Sequence, residues 1–288
     1  MKRTTVHVVA AGLLLSGASL IQAQSPEPSH LIRIFREDIK SGKGSAHEKV
    51  ESAYVRAFSK SGYPSYLALE NMTGTNQAWF IERYDTYEAM GNAIHLAETE
   101  PLKTTLTQLD AQDGELRSGE RGMIAVYQKD LSYLPVPPLG PKARFYTISM
   151  VRVRPGHTPD YAEMRKLTIA AMAKAGIQRR YLVYSVNSGA PAGTYLVLSA
   201  VDSLKSMDTP ASAMSMAEAY GADNLARYYK LQSDIVISSE STMFTINPKM
   251  SNPPKEYIAA DAGFWAPKPK PAAAKPAATP AATPTGQQ

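Results

Sequence analysis

The sequence predicts an α+β fold in which one β-α-β-β-α-β unit is written twice along the chain. Three observations predict it. The hydrophobic periodicity switches between strand and helix in the same order in both halves. Landmark residues recur in that order with only a few residues of drift. The chain also has no cysteine among its 288 residues, so a packed core and not a disulfide frame must hold it. Two units of this size supply enough apolar sequence for that.

In the first half, Leu31–Ile39 reads as a strand, and Ser45–Ser59 as an amphipathic helix with Val50, Tyr54 and Phe58 spaced by four. Ser65–Met72 and Gln77–Tyr84 read as strands joined by Thr73-Gly74-Thr75-Asn76, a hairpin turn by composition. Asp85 or Thr86 caps a second helix that runs to about Leu109 and breaks at Pro101. Gly122–Gln128 is the fourth strand. The second half repeats the order: strand Phe145–Val153, helix Pro159–Ala175, strands Arg180–Val186 and Thr194–Val201, a broken helix to about Leu231, and a strand near Met243–Ile246.

The matched landmarks are specific. Leu31 to Gly42 lies over Phe145 to Gly156, each a strand ending in a glycine turn, and Lys60-Ser61-Gly62 matches Lys174-Ala175-Gly176 where a helix would end. Tyr84-Asp85-Thr86 matches Val201-Asp202-Ser203, and Met90 matches Met207. Leu131-Ser132-Tyr133 before Pro135 echoes Met250-Ser251-Asn252 before Pro254. This arrangement is the ferredoxin-like motif, twice. It resembles the dimeric α/β-barrel superfamily, which includes the NIPSNAP-like and antibiotic-biosynthesis-monooxygenase-like proteins. The resemblance implies that two units pair sheet to sheet, here within one chain, as an internal pseudo-dimer of a monomer. It covers roughly residues 30–250 and carries no catalytic residue across.

The ends of the chain differ from its body. Lys2 and Arg3, an apolar run from Val6 to Leu20, and Ile21-Gln22-Ala23 have the order of a secretory signal peptide, with Gln24 as the expected mature terminus. The run is too short and glycine-broken for a membrane span. No later segment of the mature chain is apolar enough to span one. The domains expected are therefore a signal peptide over 1–23, a first repeat over 24–140, a second over 141–255, and a disordered Pro/Ala/Lys-rich tail over 256–288. The net charge of +5 resides at the ends: Lys2 and Arg3 in the leader, and Lys268, Lys270 and Lys275 in the tail, leave the body formally neutral. A neutral body argues against nucleic-acid binding. The tail offers weak contact with an anionic envelope surface, and the expected location is periplasmic or secreted.

No motif reaches the standard of a catalytic signature. Gly42-Lys43-Gly44-Ser45 lacks the spacing of a phosphate loop and reads as a turn. His30, His47, His95 and His157 form no His-x-x-x-His pair; His95 and Glu98 share a helix face as a surface pair, and His47 and His157 are expected to face solvent. Tyr54, Tyr161, Tyr220, Tyr228 and Tyr229 read as helix core. Neither a metal nor a cofactor is expected. On alternation, Ile32, Ile34 and Arg36, with Tyr146, Ile148 and Met150, form the face that packs on helices. The opposite face would line the lumen, placing Arg33, Phe35, Tyr66, Glu70, Phe80 and Glu82 together as a ligand site. The expected function is binding of a small, partly apolar molecule between the repeats. The alternatives are a cofactor-independent oxygenase or isomerase-like enzyme using Arg33, Glu70 or Glu82, and an envelope module tethered by its tail.

Overall fold

Runs of alternating β-branched and aromatic residues pair here into a single closed sheet, so no strand edge is left open. The computed structural model describes residues 27–208 and 212–266; the segment expected to be a signal peptide and the expected tail beyond 266 lie outside the described residues. The first half runs β1 (Leu31–Ile39), α1 (Gly44–Ser61), β2 (Tyr66–Asn71), β3 (Gln77–Tyr84), α2 (Tyr87–Ala97), α3 (Leu102–Gly114) and β4 (Arg117–Tyr127). The second runs β5 (Phe145–Val153), α4 (Thr158–Lys174), β6 (Leu182–Ser188), β7 (Thr194–Val201), α5 (Lys205–Asp208), α6 (Met216–Tyr220), α7 (Ala222–Ile235) and β8 (Val236–Ile246). Two short helices, α8 (Lys255–Ala260) and α9 (Ala262–Trp265), follow.

The eight strands close in the order β1-β3-β2-β8-β5-β7-β6-β4, with antiparallel neighbours throughout. The halves interlock reciprocally: β4 pairs with β6 of the second half, and β8 pairs with β2 of the first. The two Ser-containing echoes are the latches. The Ser132 hydroxyl accepts from the Val183 amide, and the Ser251 hydroxyl accepts from the Ala68 amide, both at 2.9 Å. A bulge falls at Asp38/Ile39 against β4, and another at Arg152/Val153 against β8. Gly193 enters the second bulge with a φ of +80°, and a Cβ there would lie 2.3 Å from the Val153 carbonyl oxygen.

Local signals set the boundaries. The Thr86 hydroxyl accepts from the Ala89 amide at 3.0 Å and caps α2, while Gly62 ends α1 in the left-handed region. Two strands begin well before their apolar alternation does: β4 at Arg117 and β8 at Val236. Their leading residues, Ser118–Arg121 and Ser238–Thr242, are polar on both faces. Pairing with β1 and β5 fixes them where patterning cannot.

Two expectations are corrected. The faces of the sheet are reversed. The lumen is filled by an apolar cluster that includes Ile32, Ile34, Leu69, Ile148, Leu196 and Phe244, so the face expected to meet helices meets itself across the barrel. The mixed face lies under the helices, which bring polar partners of their own. Inside an apolar lumen of this kind an unpaired polar group would cost several kcal/mol. The expected tail also begins too early. Residues 256–266 include most of α8 and all of α9, and Trp265 is 2% exposed, packed into the barrel cluster with its indole donating to the Pro141 carbonyl.

Candidate functional site

One end of the barrel is not filled. Where β3, β6 and β7 meet α8, a cavity of about 840 Å³ opens, lined by both halves of the chain. Its floor is built by the lumen-facing parity of the strands: Arg83 on β3, Tyr146 on β5, Tyr184 on β6, and Leu198 on β7. Tyr257 of α8 lines it as well, its ring centroid 5.5 Å from the anchored ring of Trp265 and tilted against it. The Tyr184 hydroxyl donates to the Ser29 carbonyl at 3.3 Å, and its ring lies 5.5 Å from Tyr127.

Arg83 is the electrostatic feature of this mouth. Burial works to lower its pKa, but the oxygens of Tyr257, Tyr146 and Tyr184 outweigh it, and the net shift is upward. Burial raises the Tyr146 hydroxyl and Arg83 opposes that rise. Glu27, Asp202 and Glu256 line the same cavity, yet among the described residues none forms an ion pair with Arg83. The Arg83 guanidinium stays charged, and it lines the cavity among phenols without a carboxylate paired to it among the described residues.

The six residues predicted as a ligand site do share a face, but it is the face covered by helices and not the lumen. Arg33 pairs with Glu82 at 2.9 Å, and Glu82 also accepts from Tyr63 at 2.8 Å and Tyr84 at 3.0 Å. The Arg33 guanidinium lies 4.4 Å over the ring of Phe35. Tyr66 and Phe80 meet edge to face at 6.2 Å inside the cluster beneath α1. Glu70 stands apart, accepting from Asn247 at 2.9 Å. Most of these groups engage one another, while the buried Tyr66 hydroxyl has no hydrogen-bond partner among the described residues.

Beside them lies a buried charged cluster. Glu37 of β1, His47 and Glu51 of α1, and Asp113 of α3 each offer a ligand atom within 4.8 Å of the others. His47, expected in solvent, is 1% exposed, and its Nε2 lies 2.8 Å from Glu37. Arg117 reaches Glu37 at 3.0 Å and Asp113 at 2.9 Å. Burial raises Glu51 well above the usual carboxylate range, with Glu37 and Asp113 adding to the rise. Burial also raises Asp113 to about 6, helped by Glu37 and opposed by His47 and Arg117. Sequence reasoning passed over this cluster. The signal available was the spacing of four between His47 and Glu51, which puts that pair on one helical stripe; Asp113 and Arg117 are also four apart, but Arg117 begins β4.

No family model matches the chain, and no curated protein matches it in sequence. Solved structures do. An anthrone oxidase-like protein superposes with a TM-score of 0.52 at 12% identity, over 77% of this chain and 93% of that one. A monooxygenase-like protein of Fusobacterium nucleatum gives 0.50 at 12% identity, over 77% and 94%. A chlorite dismutase of Candidatus Nitrospira defluvii is more distant, at 0.45 and 7% identity over 81% and 96%. The first two likenesses show the fold: an α+β chain closed as an eight-stranded antiparallel barrel, of the dimeric α/β-barrel kind. They leave the chemistry to this chain's own residues.

Proposed function

We propose that this protein is an exported carrier or sensor that binds a small, partly apolar anion at the barrel mouth, on Arg83. The observation that carries the reading is a guanidinium facing a cavity of about 840 Å³ with tyrosine hydroxyls around it and no carboxylate paired to it. A carboxylate, sulfonate or phosphate group would accept two parallel hydrogen bonds from Arg83. Tyr146 flanks that position with a further hydroxyl, and Tyr184, whose own proton goes to the Ser29 carbonyl, lines it with its ring. The apolar body of the ligand would lie along Leu182, Leu198 and Ala200. Charge pairing in a partly dry site rewards the anion and penalises its neutral analogue, whose binding would leave the guanidinium unpaired.

Two further parts belong to this proposal. The barrel is a tandem ferredoxin-like repeat, supported by the reciprocal pairings of β4 with β6 and β8 with β2 and by the two matched bulges. The mature chain starts at Gln24 after export, supported by the order of its first residues. A second reading, an oxygenase that needs no bound cofactor, draws on the activities named for the two fold neighbours. Its substrate would occupy the same mouth.

The test uses two naphthalene dyes, anionic 1-anilinonaphthalene-8-sulfonate and uncharged N-phenyl-1-naphthylamine, titrated by fluorescence. The wild-type protein is expected to prefer the sulfonate by about tenfold, the equivalent of one charge-assisted hydrogen bond or a little less. Arg83→Gln should erase that preference while leaving the neutral dye's affinity in place. Equal preference in both proteins would overturn the assignment.

A further inference from the structure

The cluster under α1 has the composition and closeness of a metal site, and it is separate from the barrel mouth. Glu37, His47, Glu51 and Asp113 are all buried, at 7%, 1%, 5% and 1% exposure. Two of the four are incompletely partnered. Glu51 forms no hydrogen bond or ion pair among the described residues, although it is nineteen-twentieths buried and is one of the four converging groups. Asp113 Oδ1 is buried without a hydrogen bond, and His47 Nε2 lies 3.6 Å from it.

Arg117 sorts the oxygens. It holds Glu37 Oε1 at 3.0 Å and Asp113 Oδ2 at 2.9 Å. The second oxygen of each, Glu37 Oε2 and Asp113 Oδ1, is left on the side of His47 Nε2. Outer groups that fix one oxygen and aim the other are the usual supports of a ligand set. The charges point the same way. Three carboxylates face one guanidinium, so with all three ionised, as metal binding requires, two negative charges would be left over. A buried surplus of that size is strongly unfavourable without a counter-charge. One divalent cation would balance it.

We propose that Glu37, His47, Glu51 and Asp113 bind one first-row divalent cation (manganese, iron or zinc) through the His47 imidazole and three carboxylate oxygens. One nitrogen and three oxygens suit this group of ions better than the softer or the purely oxygen-seeking ones. Metal–ligand bonds of about 2.0–2.2 Å set the ligands of a tetrahedron roughly 3.4 Å apart, so ligand atoms standing within 4.8 Å of one another close by at most about 1.4 Å on binding. The site ties β1, α1 and α3 into one unit. It is enclosed, so its role is structural. The corresponding positions of the second half are Val151, Tyr161 and Arg165, and that half carries no such set.

The test uses the full mature chain, dialysed against a chelator and then given manganese, iron(II) or zinc separately. Native mass spectrometry is expected to show one ion per chain for at least one of the three, with a melting temperature several degrees higher. Glu51→Gln keeps the side chain's size, should melt no lower than wild type without metal, and should lose at least about tenfold in affinity. His47→Gln should lose a similar factor, while His157→Gln, at an exposed pair, should change nothing. No ion retained by the wild type at millimolar metal, or wild-type affinity in both Glu51→Gln and His47→Gln, would overturn the site and leave the cluster as a proton-sharing network.

Discussion

The two helix-on-sheet layers of this barrel are built in the same order of elements and filled in opposite ways. Beneath α1 and α3 the sheet carries Glu37, Arg33 and Glu82, and the helices answer with His47, Glu51 and Asp113. Beneath α4 and α7 the layer is apolar, with Val153, Tyr161, Tyr195, Leu231 and Ile235 buried together. Tyr161 and Tyr195 face each other at 4.2 Å where the first half places charged groups. One layer is held by burial alone. The other holds its helices through charges that need one another, and that need makes it specific and vulnerable. Since both layers close onto the same barrel, the fold does not demand the charges.

The largest effects should come from emptying the apolar layer. Tyr161→Ala removes a side chain that is 1% exposed, and should cost about 3–5 kcal/mol in urea denaturation. A loss under about 1 kcal/mol would mean the layer is loosely packed. Arg117→Met tests the other half. It leaves Glu37 and Asp113 buried without their cation and should cost about 3 kcal/mol. Tolerance of this change would show that the carboxylates are already neutralised by other means.

A smaller effect separates the layers by pH in the metal-free protein. Burial first, and then Glu37, raises Asp113 to about 6 from an ordinary value near 3.8. Between those values the folded protein keeps a proton that the unfolded chain has released. The stability from that proton is present below about pH 4 and is lost as pH rises towards 6. Wild-type stability minus that of Asp113→Asn should therefore decline over this window. A flat or rising difference would contradict the burial. The smallest effect is at the surface: Arg227 and Glu163 pair at 2.8 Å in solvent, and Arg227→Ala should leave the melting temperature unchanged within error.

Much of the fold was legible because local chemistry and global packing agree in it. The alternation in Leu31–Ile39 and Thr194–Val201, the Thr86 cap and the Gly62 helix end each follow from short-range rules. The choice of inner face was not legible. Ile32–Ile34–Arg36 looked like a helix-packing face because it is apolar, but the apolar faces of a closed barrel pack on each other. One step of parity then moved Arg33, Glu70 and Glu82 out of the lumen and brought Arg83 into the mouth. The charged cluster was hidden for another reason: its members are far apart in sequence, and only the meeting of β1, α1 and α3 gathers them. The leading residues of β4 and β8 had no pattern to read, since their pairing with β1 and β5 is what makes them strands.

The most direct measurement is native mass spectrometry of the mature protein purified from its own cells, wild type beside Arg83→Gln, each compared with its denatured mass. If the barrel mouth is an anion site, the wild type carries an added organic mass that denaturation removes and Arg83→Gln lacks. The same added mass retained in both proteins would contradict the account.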